Sequence, residues 1–251
     1  MVSLEEEGFI LVGAKNSAQE NRMLWMTKLD AKGEMVWEKT FRGEFNGFCK
    51  SIKKLPTGGF AITGQISKPG QKESDIWSAR TNENGELLWE SRIPTPGLKA
   101  WSECICCSPD SCFMIVGWQG ACMNDINSEE PIFDFDLVLL KLDCNGEILW
   151  TKSFNREGSE GGNAVTIRPD GNFIVAGIKA TSFLGKIGPW LMLFDPEGEL
   201  LSENLIKFRF KNDHAAKVVN CSDGGIVVIG PGIQDESNTR SNSWIMKFAG
   251  L

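Results

Sequence analysis

A unit of about fifty residues, repeated five times, leaves this chain few ways to fold. Its first landmark is a short apolar run bounded by turn residues and closed by Gly: GFILVG (8–13), GGFAITG (58–64), CFMIVG (112–117), NFIVAG (172–177) and GGIVVIG (224–230). Trp25, Trp77, Val138, Trp190 and Trp244 hold equivalent places downstream, at spacings of 52, 61, 52 and 54 residues. Then come KLDAKGEMVW (28–37), RTNENGELLW (80–89), KLDCNGEILW (141–150) and LFDPEGELLS (193–202), and the last copy stops at KFAGL (247–251). A fourth apolar stretch precedes the next Gly-bounded run: FCKSIKKL (48–55), WSECICCS (101–108), NAVTIR (163–168) and AAKVVNC (215–221). Four short segments rich in Val, Ile, Phe and Trp, parted by turn residues, predict strands joined by hairpins.

Self-similarity at this period with four strands per unit predicts a β-propeller blade. One four-stranded sheet cannot cover both of its faces, so neighbouring units must stack. The expected fold is therefore all-β, a five-bladed β-propeller with four antiparallel strands per blade and incomplete first and last blades. We expect one domain over 1–251, with blades at approximately 1–45, 46–97, 98–158, 159–210 and 211–251. Only seven residues precede GFILVG, space for a stub of inner strand, MVSL at most, and the chain ends before an outer strand of the fifth unit. Three closures are open. The ring closes with one inner and one outer strand short, or Met1–Glu7 pairs across the closure, or the chain is a fragment needing further sequence.

The GE turns suit hairpins, because Gly33, Gly85, Gly146 and Gly198 can adopt positive φ. Trp25, Trp37, Trp77, Trp89, Trp150, Trp190 and Trp244 are read as structural, each burying apolar area between blades at roughly 1.5–3 kcal/mol or more.

The pattern GGFxxxG followed by DxWxxKLDxxGExxW resembles the repeat of prokaryotic β-propeller proteins and is distantly similar to quinoprotein-type and WD-repeat propellers. The resemblance covers nearly all of residues 8–251 and implies a fold without implying an activity. Relatives of the pattern often carry Tyr where Phe60, Phe113, Phe173, Phe41 and Phe154 stand; this chain has no Tyr.

A net charge of −7 argues against nucleic-acid partners, and KSIKK (50–54) is the only local basic cluster. No apolar stretch is long enough to span a membrane, and MVSLEEEGF lacks a signal pattern, so a cytoplasmic location is expected. Eight cysteines at 49, 104, 106, 107, 112, 122, 144 and 221 do not repeat between copies. They are read chiefly as free buried thiols, with a disulfide or a metal site as the alternatives. CxCC lacks the CxxC spacing of zinc sites, so no metal and no cofactor are expected.

The b–c loops, 14–22, 65–74, 118–134, 178–188 and 231–242, diverge among the copies, which is where specificity is normally placed. The longest carries Asp125, Glu129, Glu130 and Asp134 without calcium-loop spacing, and is read as a solvated acidic insert. Counting back along the inner strands places Phe48, Trp101, Gly161 and His214 in one ring, with Lys50, Glu103, Asn163 and Ala216 next inward. Trp118 is expected nearby, at the end of a b strand. Phe48, Lys50, Trp101, Glu103, Trp118, Asn163 and His214 are thus the candidate binding residues at a channel mouth; the competing reading is that Phe48 and Trp101 seal the core. A glycoside hydrolase needs two carboxyl groups flanking the bond, and the inner strands offer Glu103 without a second acid at matching depth. With one His and no G-x-S-x-G, acyl transfer has no machinery either. The expectation is a non-catalytic interaction module binding a protein or peptide partner. A small-ligand or lectin-like glycan binder is the alternative.

Overall fold

A computed structural model of the protein describes residues 1–17, 21–41, 43–122, 133–154, 158–180, 187–206, 214–233 and 241–249. The chain is all-β, with one short 3-10 turn at Glu5–Glu7 among the described residues. The strands form five antiparallel sheets in chain order, each paired as a meander. The first sheet holds β1 (Val2–Ser3), β2 (Phe9–Asn16), β3 (Arg22–Leu29) and β4 (Met35–Phe41). The second holds β5 (Asn46–Lys54), β6 (Phe60–Ser67), β7 (Asp75–Thr81) and β8 (Leu87–Ile93). The third holds β9 (Leu98–Cys107), β10 (Phe113–Cys122), β11 (Phe133–Leu142) and β12 (Ile148–Phe154). The fourth holds β13 (Glu160–Ile167), β14 (Phe173–Ala180), β15 (Ile187–Phe194) and β16 (Leu200–Leu205). Three strands make the fifth: β17 (Lys217–Asn220), β18 (Ile226–Ile233) and β19 (Ser241–Phe248).

The hairpin between the third and fourth strands of the first four sheets is fixed by side-chain chemistry. Asp30, Asn82, Asp143 and Asp195 each accept two backbone N–H bonds on one side-chain oxygen, from the residues two and four positions on. This Asx geometry turns the chain, and Gly33, Gly85, Gly146 and Gly198 follow with φ of +87°, +73°, +86° and +79°. Three of those glycines have a second reason to lack a side chain. The indole of Trp37 lies against Gly85, Trp89 against Gly146 and Trp150 against Gly198. Each outer-strand Trp thereby rests on the turn of the next sheet.

Four apolar layers join consecutive sheets. Ile10, Leu24 and Met26 meet Ile62, Ile66 and Trp77 between the first two, and Ala61 and Ile76 meet Ile105, Phe113 and Leu140 between the next two. Val116 and Leu137 meet Val175 and Trp190, and Ile174 and Leu191 meet Val218 and Val228. No such layer joins the fifth sheet to the first among the described residues. Instead Val219, Ile229 and Ile245 of the fifth are 45%, 39% and 69% exposed.

The Trp residues divide by place. Trp77 and Trp190 are completely enclosed, whereas Trp25, Trp37, Trp89, Trp150 and Trp244 are half-buried, less covered than full packing between units requires. Trp25, Trp77 and Trp190 donate through Nε1 to Glu38, Glu90 and Glu203 of the neighbouring strand. In the third sheet, Val138 replaces the Trp and Thr151 stands where the Glu would be.

Candidate functional site

The first strands of the five sheets converge. Residues of β1, β5, β9, β13 and β17 line one cavity of about 360 Å³, with Ser51, Cys104, Ala164 and Lys217 in one row and Ile52, Ile105, Val165 and Val218 in the next. Just above that row, each of β5, β9 and β13 slips register by one residue, at Lys50, Glu103 and Asn163. Ala216 occupies the same place before β17, since its N–H reaches the Ile229 carbonyl while Lys217 pairs with Ile229. These are β-bulges, which re-aim side chains at the end of a sheet.

The bulge explains the repeat's closing Gly. It carries the carbonyls of Phe48, Trp101, Gly161 and His214 to 2.0, 2.1, 1.9 and 1.9 Å from where a Cβ would stand on Gly64, Gly117, Gly177 and Gly230. Only Gly tolerates so close a backbone approach.

The bulged residues join a polar and aromatic network at the end of the sheets where the second and third strands connect. Lys50 Nζ donates to Glu103 Oε1 at 3.0 Å, and Trp101 Nε1 donates to the same oxygen at 2.7 Å. The ammonium of Lys50 and the guanidinium of Arg22 each stand over the Phe48 ring, at 5.6 and 5.5 Å. Trp118 Nε1 donates to Asn163 Oδ1 at 3.3 Å, and Asn163 Nδ2 donates to the Ala215 carbonyl at 3.0 Å. Trp101 and Trp118 are direct cross-strand partners on β9 and β10, with rings stacked at 6.0 Å and 11°. Phe135 of β11 closes the group edge-on to both, at 5.0 and 6.2 Å. All three rings are half-buried. Gly161 supports the cluster from the next sheet, for a Cβ there would overlap the Trp118 indole at 2.1 Å.

The structure thus brings Phe48, Lys50, Trp101, Glu103, Trp118 and Asn163 into one connected surface, and holds His214 in the same row through its backbone contact to Pro231. It corrects two expectations and refines a third. Trp118 lies in mid-strand, because β10 continues to Cys122 and pairs with β11 from Phe133 onward. The inner strands carry a second acid, though not at the depth of Glu103: Glu160 opens β13 three residues before Asn163, completely buried and opposite Lys179. Cysteine burial is mixed: Cys49, Cys104 and Cys106 are buried, Cys107, Cys112 and Cys221 half-buried, and Cys144 exposed. Burial pushes the Cys49 thiol up to about 12 and the Cys106 thiol well above its ordinary range. Asp125, Glu129 and Glu130 lie outside the described residues, as do most of loops 118–134, 178–188 and 231–242.

Phe135 and Arg22 were absent from the sequence reading. Counting back three residues from Val138 and from its repeat equivalent Trp25 finds Phe135 and Arg22.

No protein-family model matches the chain, and no curated protein matches it. Solved structures do. A protein of unknown function from Bacteroides caccae aligns at TM-score 0.52 and 15% identity, over 92% of this chain and 72% of its own. One of unknown function from Dyadobacter fermentans aligns at TM-score 0.54 and 13% identity, over 83% and 68%. A GH43 endo-arabinanase from Bacillus licheniformis aligns at TM-score 0.45 and 11% identity, over 94% and 88%, too slight a likeness to carry an activity across. The first two likenesses are of fold alone. No helix among the described residues is long and apolar enough to cross a membrane.

Proposed function

We propose that the five sheets are the blades of a five-bladed β-propeller, short of most of one inner strand and of one outer strand. Its function on this reading is non-catalytic: it binds a protein or peptide partner through the end that carries Trp101, Trp118 and Phe135. The observation behind it is the aromatic trio itself. Three half-buried rings are braced from below by Gly161 and Asn163 and flanked by the Lys50–Glu103 pair. Rigid aromatic side chains with a polar border are what interface hot spots are made of. Among the described residues the cluster occurs once, on the third sheet and its neighbours, which favours one asymmetric partner over five equal sites. Glu103 accepts from the Lys50 ammonium and the Trp101 indole N–H on the same oxygen, which ties the polar border to the aromatic trio. Seven unpaired thiols among the described residues fit a cytoplasmic setting.

The test is quantitative capture from the native cell with wild-type protein, Trp101→Ala and Trp118→Ala as baits, each checked for an unchanged melt. The expected outcome is a partner whose recovery falls at least about tenfold with either variant, the effect of a hot spot. Binding on a glycan array that Trp118→Ala abolishes would instead support the small-ligand reading. Hydrolysis lost in Glu103→Gln would make the protein an enzyme.

A further inference from the structure

The first sheet keeps the repeat's closing glycine where no backbone carbonyl stands against its Cβ position. Gly13 holds the register of Gly64, Gly117, Gly177 and Gly230, yet the nearest atom to its Cβ position is Trp25 Cε3 at 4.0 Å, where the others meet a carbonyl at 1.9–2.1 Å. β1 pairs only with Phe9 and Ile10, so no strand lies along the inner edge of β2 from Leu11 to Asn16 among the described residues. Burial records the same gap. Ile62 and Thr63 are completely enclosed, whereas their counterparts Leu11 and Val12 are half-buried. A strand edge without its ladder is a template for another strand.

The four built inner strands specify what fits. Opposite the glycine each carries a small residue: Cys49, Ser102, Gly162 and, beside Gly230, Ala215. Two positions on, Ser51, Cys104, Ala164 and Lys217 face the shared cavity. Met1 lines that cavity too, in the row of Ile52, so β1 enters the first sheet only after the bulge. The charged residues lining the cavity are Lys53 and Lys217, and no carboxylate lines it among the described residues. A side chain entering there from the first sheet would meet two ammonium groups, which an acidic residue complements.

We propose that the inner edge of β2 binds an extended segment of a partner protein, antiparallel to β2, with a small residue opposite Gly13 and an acidic residue two positions further on. A second copy of this chain is a poor donor of an inner strand, because its own β5, β9, β13 and β17 are already paired within its sheets. The edge shares no residue with the Trp101–Trp118 surface, so each reading can fail without the other.

The probe is a capped hexapeptide copying residues 159–163 and ending in aspartate, titrated at millimolar concentration into isotope-labelled protein and followed by NMR. The expected result is saturable shifts and slowed amide exchange at Leu11–Asn16, with binding about fivefold weaker when lysine replaces the final aspartate. Gly13→Val abolishes binding without lowering the melting temperature, since a Cβ there meets nothing nearer than Trp25 Cε3 at 4.0 Å; Gly13→Ala repeats the comparison should valine disturb the sheet. Absence of shifts, or equal binding by the Gly13 variants, overturns the proposal. Sedimentation showing a wild-type dimer that Gly13→Val disperses would also overturn it, by giving the edge to a second copy.

Discussion

The carbonyl oxygen of Trp101 lies 2.1 Å from the point where a Cβ on Gly117 would stand. One bulge in β9 therefore fixes the identity of a residue on β10, and the same relation holds for Phe48 and Gly64. Gly117→Ala and Gly64→Ala should each lose about 1–3 kcal/mol of stability, the usual cost of overpacking. Gly13→Ala, in the same register without the carbonyl, should fall within about 0.5 kcal/mol of wild type. Urea denaturation of the three variants checks the contrast.

Trp77 and Trp25 are repeat equivalents with unequal surroundings. Trp77 is completely enclosed between the first two sheets, and Trp25 is half-buried on the face that, among the described residues, the fifth sheet does not cover. Trp77→Ala should cost about 3–5 kcal/mol, as large-to-small core changes do. Trp25→Ala should cost distinctly less, although both residues donate to a Glu on the next strand. Equal losses in chemical denaturation would contradict the open seam.

The buried thiols predict a stability that falls in alkali. Cys49 is raised from an ordinary value of 9.0 to about 12, and Cys106 well above it, chiefly by burial. Between those limits the unfolded chain releases a proton that the folded chain retains, so raising the pH favours unfolding. The contribution is complete below about pH 9 and declines above it by roughly 1 kcal/mol per pH unit for each thiol. Denaturation midpoints from pH 7.5 to 10.5, flatter in Cys49→Ala than in wild type, measure the effect.

Accessibility orders the same side chains kinetically. Among the described thiols, Ellman's reagent should modify exposed Cys144 first, and Cys49, Cys104 and Cys106 only on unfolding. In a Cys122→Ser background, a Cys144→Ser protein that keeps the fast phase would contradict this order.

The Asp143 turn carries a smaller, separable term. Asp143 accepts the N–H groups of Asn145 and Glu147, both at 2.9 Å. Asp143→Ala should lose about 1 kcal/mol, as capping and turn residues do, with Asp143→Asn retaining most of it. Thermal melts of the pair test that.

Much of the candidate site could be counted out from the sequence. Phe48, Trp101, Gly161 and His214 do occupy one row, because a bulge recurring at the same place leaves the spacing to the following strand unchanged. Lys50, Glu103 and Asn163 were placed together for the same reason, though nothing in their identities announced a bulge. The repeat alone determined the strands, their hairpins and their order, since alternation, β-branched content and the Asp/Asn–Gly turns act within a few residues of chain. Tertiary structure alone decided that Glu160 is buried, that Trp118 stacks on Trp101 under Phe135, and that no backbone carbonyl stands against Gly13. Those are contacts between segments distant along the chain, and a local pattern carries no record of whether the neighbour it was shaped for is present.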